Sequence, residues 1–190
     1  KMIRIGILGD IGSGKSYVAK NFGYPVFNAD LEVGKLYRKN KKIFNKLNKV
    51  LPNYIYSFPV NKNEMLKAIL ANKSNIKKIV KIVHLEVRKK MNSFLRKNKN
   101  KKIVILDIPL LLENKINKKK DTLVFVESKK LDILKELKKR NNFNQKLYKK
   151  FKDIQLPLNY KKKKSQFIIK NDFTKKTVNT GIRKIIKEIL

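Results

Sequence analysis

A glycine-rich turn near the N-terminus constrains the fold of this chain more than any other feature. Residues Gly9–Ser16 have the sequence GDIGSGKS, which matches the pattern G-x-x-x-x-G-K-[ST] without a mismatch. The turn follows the apolar run Ile3–Leu8, which predicts a buried strand, and it leads into a predicted helix over Lys15–Phe22. A strand, a glycine loop and a helix in this order are typical of a phosphate-binding loop (P-loop), so we expect a nucleoside triphosphate to bind here.

The residue types of this loop suit phosphate binding. Glycines adopt backbone angles closed to other residues, so that successive N–H groups can point into one cavity. The Lys15 ammonium is long enough to reach the β- and γ-phosphates, and the Ser16 hydroxyl is a ligand for Mg²⁺. The predicted ATP-binding residues of the loop are Ile11, Gly12, Ser13, Gly14, Lys15 and Ser16.

Strands alternate with helices along the chain, and each predicted strand is apolar throughout. This pattern is typical of a parallel sheet that helices cover on both faces. We therefore predict an α/β fold, a P-loop NTPase-like three-layer sandwich with a five-stranded parallel sheet, a helical substrate-binding insertion and a lid. The predicted strands are Ile3–Leu8, Pro25–Asn28, Ile103–Asp107, Thr122–Val126 and Gln166–Ile169.

The segments between the strands differ in composition, and they divide the chain into three predicted parts. Residues 1–30, 99–140 and 166–190 form the nucleotide-binding core. Residues 31–98 carry apolar side chains mostly at helical spacing, and we predict that they bind the acceptor. Residues 141–165 are polar and basic, and we predict a lid that closes over ATP.

The formal net charge of +35 over 190 residues is extreme. One interpretation is a polyanionic partner such as nucleic acid or an anionic membrane. We favour biased composition, because Lys greatly outnumbers Arg and is spread along the whole chain, while Asn and Ile are also abundant. The tracts Lys118–Lys120 and Lys161–Lys164 are accordingly expected to be solvated loop or helix faces.

Several classes of function are excluded by residues that the sequence lacks. There is no cysteine and only one histidine, His84, which excludes thiol catalysis, disulfides and Cys-ligated or multi-histidine metal sites. No apolar stretch approaches the about 20 residues of a membrane-spanning helix, and no secretory signal is visible. We expect a soluble, cytoplasmic protein, a monomer or weak homo-oligomer, with a small-molecule substrate and no specific nucleic-acid or membrane partner.

The loop predicts a nucleotide but does not identify the reaction, because GTPases, motor ATPases and small-molecule kinases share it. No N-K-x-D follows a predicted strand, which argues against a GTPase, and the chain is short for a motor ATPase. A small core with a helical insertion and a basic late segment favours a small-molecule kinase that uses ATP and Mg²⁺. A nucleic-acid-binding P-loop ATPase is the alternative from another class.

Four blocks of sequence, in this order, resemble the dephospho-CoA kinase family. They are ILGDIGSGKS at Ile7–Ser16, VFNAD at Val26–Asp30, DIPLLLE at Asp107–Glu113 and FIIKN at Phe167–Asn171. The first block is generic, whereas the second and third at these separations are much more specific. The resemblance spans nearly the whole chain and implies ATP-dependent phosphorylation of the ribose 3′-hydroxyl of dephospho-CoA, the last step of coenzyme A synthesis. A nucleoside or nucleotide acceptor is the alternative kinase substrate.

The resemblance also implies roles for single residues. Asp30 matches the last acid of the family's D-A-D block, the general base, and we predict that Lys15 and Arg140 complete the catalytic set. Arg140 resembles a lid arginine that meets the ATP phosphates, and Asn171 falls where the family has a residue near adenine. The predicted acceptor-binding residues are Asp30, His84, Arg88, Pro109, Leu110, Leu111 and Glu113.

The sequence departs from the family pattern at several positions. Asn28 replaces the first acid of D-A-D, and Asp10 replaces a glycine of the phosphate loop. Leu85 follows His84 where the family commonly has proline, and the predicted lid is rich in Lys where the family has more Arg.

Two acids stand at the ends of predicted strands, where open parallel sheets bind their ligands. Phosphorylation of a hydroxyl requires a carboxylate that orients it and accepts its proton, which Asp30 can supply; the alternative is an N-cap of the next helix. Asp107 follows four apolar residues, a pattern typical of an acid that holds the water shell of Mg²⁺, so Asp107 and Ser16 are the predicted metal residues. Pairing of Asp107 with Lys15 or a nearby backbone group is its alternative.

Structural alternatives also exist for the other candidates. Glu113 could cap a helix instead of binding the acceptor. His84 lies beside an apolar helical stripe, where a lone histidine is more often packed than functional. For Arg88, we slightly favour a surface charge over a contact with the acceptor. Arg140 stands out because arginines are scarce in this chain and its planar fork suits phosphate oxygens.

Overall fold

The structure is a computed structural model, and it describes residues 2–141 and 143–190. Lys1 and Asn142, which fall in the predicted core and lid, lie outside the described residues. The chain divides into two compact units. The first unit comprises Lys1–Asn28, Asn98–Phe143 and Ile154–Leu190, and the second comprises Ala29–Lys97 and Asn144–Asp153. The segment predicted as a lid is thus shared, with its middle part in the second unit.

The first unit is built on a five-stranded sheet, as predicted. Its strands all run parallel, in the order β2-β3-β1-β4-β5. They are β1 (Ile3–Gly9), β2 (Val26–Asn28), β3 (Ile103–Asp107), β4 (Thr122–Glu127) and β5 (Phe167–Lys170). Because the strands are parallel, their carboxyl ends share one edge, where Asn28 lies opposite Asp107 and Gly9 opposite Val126.

The first unit also contains helices, and the first and last of them pack on the sheet through aliphatic side chains. The helices are α1 (Lys15–Asn21), α6 (Lys130–Lys138), α8 (Leu158–Lys164) and α9 (Lys175–Ile189). The core joins side chains of β1, β3, β4 and β5 to those of α1 and α9. It includes Ile5, Ile7, Val18, Ala19, Phe22, Ile103, Ile105, Val124, Val126, Ile169, Val178, Ile182 and Ile185. Continuous apolar strands are what a sheet buried on both faces requires.

Helix α6 ends before the predicted lid arginine Arg140. It ends at Lys138, and the Arg140 N–H donates to Leu137 O at 3.1 Å. This bond spans three residues instead of four, so the chain tightens into a turn before Arg140.

The second unit consists of helices and the loops between them, as we predicted for residues 31–98. Its helices are α2 (Ala29–Lys39), α3 (Lys41–Val50), α4 (Lys62–Ala71), α5 (Lys73–Lys97) and α7 (Gln145–Asp153). The stripes predicted from apolar spacing are buried, among them Ile43, Leu47, Met65, Ile76, Ile79, Val83 and Val87. Asn40 caps α3, its Oδ1 accepting from the Ile43 N–H at 3.0 Å.

Two polar side chains fix the connections of the second unit. The buried Glu64 carboxylate accepts the backbone N–H groups of Tyr56 and Ser57 at 3.0 and 3.1 Å. Burial raises the pKa of Glu64, but hydrogen bonds from Ser57 and Tyr56 outweigh it and hold the pKa below its usual value. Lys150 of α7 donates to the carbonyls of Ile69 and Leu70 in the last turn of α4, which anchors this part of the predicted lid.

The two lysine tracts differ in their exposure to solvent. Lys118–Lys120 are exposed, as expected. The expectation is wrong for Lys161, which is 3% exposed, because its ammonium forms an ion pair with Glu113. Among the described residues, none of the helices combines the length and apolar character needed to cross a membrane.

Candidate active site

The phosphate loop has the backbone conformation that its glycines predict. Gly12 and Gly14 have φ values of 81° and 86°, in the left-handed region that favours glycine. A Cβ atom on Gly14 would lie 2.3 Å from Asn171 Nδ2, and one on Gly12 would lie 2.8 Å from the Leu137 side chain. The loop therefore has no room for side chains at either position.

Two side chains outside the loop hold it from behind. The Ser13 carbonyl accepts from Asn171 Nδ2 at 2.8 Å and from Ser128 Oγ at 3.0 Å. Asn171 is 2% exposed, and its Oδ1 accepts the Phe173 N–H at 2.9 Å. Both polar atoms of the Asn171 side chain thus serve the local structure. Ser128 was missed by the sequence reasoning, although a hydroxyl directly after β4 lies at the edge where the loop was expected.

Inside the loop, polar groups are arranged as a phosphate site needs. Lys15 Nζ donates to Asp10 O at 2.6 Å, and Asp10 Oδ1 accepts the Ile11 N–H at 2.7 Å. Ser13 Oγ is buried and has no hydrogen-bond partner in the part of the chain that the structure describes. Ser16 is exposed at the start of α1. The tight glycine cradle, the ammonium and the helix N-terminus fit a triphosphate.

Asp107 is held by the neighbouring strand. Its Oδ2 accepts from Asn28 Nδ2 at 2.6 Å, between strand ends that lie opposite each other in the sheet. Asp107 is 3% exposed, so this donor matters for a carboxylate that has little access to water. No cluster of three or more His, Cys, Asp or Glu residues suited to a metal occurs within residues 2–141 and 143–190. A single acid with a hydroxyl fits Mg²⁺, which takes its remaining ligands from phosphate and water.

The turn after β3, residues 108–116, carries four of the predicted acceptor residues, and we call it the acceptor turn. Leu110 has φ 59°, and Pro109 and Leu110 are half-buried. The Leu111 side chain is 1% exposed, and its Cδ2 atom lies 2.6 Å from where a Cβ of Gly6 would be. Leu111 is therefore a core residue that fixes the turn against β1.

Glu113 bonds to the chain that leads into α8. Its Oε1 accepts the Leu156 N–H at 3.0 Å and pairs with Lys161 Nζ at 2.6 Å. Leu156 lies two residues before α8, outside the helix, and the N-cap residue Pro157 has no side-chain cap hydrogen bond, so Glu113 does not cap α8.

The remaining candidates lie on helices or beside them. Asp30 is an exposed residue in the first turn of α2, which begins at Ala29, so Asp30 is not the N-cap. His84 is half-buried on α5, and burial, with the nearby Arg88 charge, lowers its pKa. Its Nε2 has no hydrogen-bond partner among the described residues. Arg88 and Arg140 are exposed.

The family model for dephospho-CoA kinase matches residues 3–177. The chain belongs to the dephospho-CoA kinase family. It is 33% identical over 190 residues to a dephospho-CoA kinase of Wolbachia pipientis wMel, with 97% of each chain covered.

Two solved structures share its fold. One, from Thermus thermophilus, has a TM-score of 0.80 at 24% identity and covers 99% of this chain and 98% of its own. The other, a dephospho-CoA kinase from Campylobacter jejuni, has a TM-score of 0.61 at 23% identity, with 99% and 97% covered.

These matches confirm the resemblance drawn from the four sequence blocks. The hydrogen bonds of the structure give a physical context to two departures from the dephospho-CoA kinase pattern. Asn28 presents an amide donor to Asp107, where an aspartate would place a second carboxylate at 2.6 Å. Asp10 is 8% exposed and bonds to the loop backbone at the Ile11 N–H. Both substitutions are accommodated by hydrogen bonds, and neither disrupts the conformation of the loop.

Proposed function

We propose that this chain transfers the γ-phosphoryl group of ATP to the 3′-hydroxyl of the ribose of dephospho-CoA, giving coenzyme A and ADP. The observation that carries the proposal is the intact phosphate loop, supported by Asn171 and Ser128, in a chain that matches the dephospho-CoA kinase family over residues 3–177. The family supplies the reaction, and the loop supplies a site with the donors that the reaction needs.

The ATP phosphates lie on the loop backbone in this proposal. The N–H groups from Ile11 to Ser16 bind the phosphate oxygens, those of Ile11 and Ser13 after leaving Asp10 Oδ1 and Asp10 O. The N-terminus of α1 adds its partial positive charge there. Lys15 exchanges its bonds to the loop carbonyls for the β- and γ-phosphates. Arg140, exposed and beyond the end of α6, supplies a second cation from the lid side. Asn171 supports the loop and lies near adenine.

The Ser16 hydroxyl and, through water, the Asp107 carboxylate would hold Mg²⁺, which would neutralise charge on the phosphates. Asn28 donates to Asp107 Oδ2 and leaves Asp107 Oδ1 for this role.

Each predicted acceptor residue has its own role in the proposal. Asp30 accepts the proton of the 3′-hydroxyl as general base. His84, whose lowered pKa favours the neutral imidazole at pH 7, offers a hydrogen bond without charge, and Arg88 meets an acidic part of the acceptor. Pro109, Leu110, Leu111 and Glu113 form the acceptor turn, to which Leu111 contributes its backbone because its side chain is in the core.

The larger organisation also belongs to the proposal. Residues 31–98 bind the acceptor, and residues 141–165 close over ATP. The protein acts in the cytoplasm as a monomer or weak homo-oligomer and has no specific nucleic-acid partner.

The base is tested by Asp30→Asn, with Glu32→Gln, in the same helical turn, as the matched control. Loss of a positioned general base lowers turnover by about 10²- to 10⁴-fold, while the affinity for MgATP stays within twofold because Asp30 does not bind the triphosphate. Turnover is measured by coupled ADP release, and MgATP binding by calorimetry. Near-normal turnover of the Asp30 variant would remove Asp30 as the base. A wild-type protein that phosphorylates nucleosides but not dephospho-CoA would overturn the substrate.

A further inference from the structure

Lys161 is an exception among the lysines of this chain. It begins the run Lys161–Lys164, yet its side chain is 4% exposed, whereas Lys163 is exposed. A buried ammonium is costly unless it meets an opposite charge in good hydrogen-bonding geometry. The position of Lys161 therefore depends on a specific acidic partner, and the structure provides Glu113.

The contacts of this pair are concentrated on one carboxylate oxygen. Glu113 Oε1 accepts both Lys161 Nζ at 2.6 Å and the Leu156 N–H at 3.0 Å. Lys161 Nζ also lies 3.5 Å from Gln155 Oε1. A carboxylate that receives two donors on one oxygen has a fixed plane, so the direction of the other oxygen is fixed too.

The other oxygen is buried and unused. The Glu113 side chain is 9% exposed, and its Oε2 has no hydrogen-bond partner within residues 2–141 and 143–190. Buried polar atoms are nearly always satisfied, so an unpaired carboxylate oxygen in a native protein requires an explanation. A ligand that brings its own donor supplies one.

The location of Glu113 favours a ligand. The acceptor turn follows Asp107 at the carboxyl edge of the sheet, the edge from which the phosphate loop also starts. Leu110 and Lys115, on either side of Glu113, have positive φ values of 59° and 50°. Non-glycine residues in this conformation persist where the surrounding structure fixes them, and they cluster at ligand sites.

We propose that Lys161 is a positioning residue of the acceptor site. Together with the Leu156 N–H it occupies Oε1 of Glu113 and thereby presents Oε2 to a hydroxyl or N–H donor of the acceptor. Lys161 itself does not touch the acceptor. This inference rests on the proposed function, in which Glu113 binds the acceptor, and it adds the residue that orients Glu113.

The test varies dephospho-CoA and MgATP separately in steady-state assays of the full chain. Lys161→Met is compared with Lys163→Met, which removes an exposed lysine from the same helix. Loss of one oriented hydrogen bond to the acceptor raises the KM for dephospho-CoA about tenfold. The KM for MgATP stays within twofold, Lys161→Arg restores at least half of the acceptor affinity, and Lys163→Met behaves as wild type. A purely structural role would change both KM values or neither.

An unpaired Glu113 carboxylate left in the interior by Lys161→Met is destabilising, so this variant is accompanied by Glu113→Gln/Lys161→Met, in which the pair is neutral. If only the double variant folds, it is compared with Glu113→Gln. An acceptor KM about tenfold above wild type and equal in both variants supports the proposal, because Lys161 acts only through Glu113. A wild-type KM in either variant, or a further rise in the double variant, overturns it. Unchanged acceptor KM in a folded Lys161→Met protein also overturns it. Wild-type turnover of dephospho-CoA in the same assay separates either result from a failure of the proposed function.

The donor is identified with an acceptor that lacks the ribose 2′-hydroxyl. If that hydroxyl meets Oε2, removing it raises the wild-type KM, and Lys161→Met adds little further. If an N–H elsewhere in the acceptor is the donor, the two effects multiply. If Lys161→Met and the wild type have the same KM for the natural acceptor and the same KM for the 2′-deoxy acceptor, the acceptor supplies no donor to Oε2. The proposal then fails.

Discussion

The phosphate loop and the acceptor turn both follow central strands of the same sheet, but they are held in different ways. In the loop, left-handed angles fall on Gly12 and Gly14, which adopt them without strain. In the acceptor turn, they fall on Leu110 and Lys115, whose Cβ atoms disfavour them. The left-handed angles of the loop therefore suit its own sequence, whereas those of the turn must be stabilised by other contacts. Both regions are also held by residues from distant parts of the chain.

Those distant contacts differ in kind as well. The loop is supported through one backbone carbonyl, Ser13 O, by the neutral groups of Asn171 and Ser128. The acceptor turn is supported through a side chain, by the buried charge pair of Glu113 and Lys161. Backbone support suits a site for phosphate, which every nucleotide shares.

The largest effect that separates the two regions is expected from Lys15→Met in the loop. It removes a cation that stabilises charge on the transferred phosphoryl group, a loss typically worth about 10²- to 10³-fold in kcat. Lys20→Met, an exposed lysine on the same helix, is the control and should leave kcat within twofold. Coupled ADP release measures both variants. A smaller loss for Lys15→Met than for Lys161→Met would reverse the comparison, because the chemistry would then depend more on the turn.

The same difference explains what the sequence could predict. The loop and its flanking elements are local patterns, so Gly9–Ser16, the strand before it and the helix after it were all predicted correctly. The five parallel strands followed from apolar runs of the right length. Glu113 and Lys161 are 48 positions apart in the chain, and Lys161 belongs to a lysine tract that the sequence predicted to be solvated. No spacing rule connects such residues, so only the fold shows which lysine of the tract is buried.

Asn28 illustrates a further limit of the sequence. From the sequence alone, Asn28 could be recognised only as a departure from the D-A-D pattern. Its role depends on strand register, which places it directly opposite Asp107 and lets its amide donate at 2.6 Å. The register between β2 and β3 depends on residues far apart in the chain, so the local sequence pattern does not reveal it.

A second prediction tests whether the loop depends on its glycine angles or on its support. Gly14→Ala forces a Cβ to within 2.3 Å of Asn171 Nδ2 at a φ of 86°. We expect the free energy of unfolding to fall by about 2–3 kcal/mol, from left-handed strain and the displaced Asn171. We also expect a KM for MgATP at least tenfold higher, because the loop N–H groups shift. Thermal unfolding and MgATP titration measure these changes.

Gly23→Ala is the matched control for that variant. Gly23 has φ 73°, but a Cβ there meets no atom within 4 Å, so it carries the strain without the clash. We expect it to lose about 1 kcal/mol of stability and none of its MgATP affinity. If Gly14→Ala and Gly23→Ala gave the same result, the close contact between position 14 and Asn171 would not affect MgATP binding. Recovery of MgATP affinity in Gly14→Ala/Asn171→Ala would show that the clash caused the loss.

The smallest effect is expected from Lys115→Gly in the acceptor turn. Lys115 is exposed at φ 50°, so glycine relieves left-handed strain of about 1–2 kcal/mol, offset by about 0.5–1 kcal/mol from the greater freedom of glycine in the unfolded chain. The net result is a gain of about 0–1.5 kcal/mol in the free energy of unfolding, measured by urea denaturation, with both KM values unchanged. Lys115→Ala, which keeps the strain and removes the side chain, is the control and should not stabilise the protein. If Lys115→Gly instead raised the acceptor KM, the strained backbone itself would hold Glu113 in place, and the turn would resemble the loop in depending on its own conformation more than on Lys161.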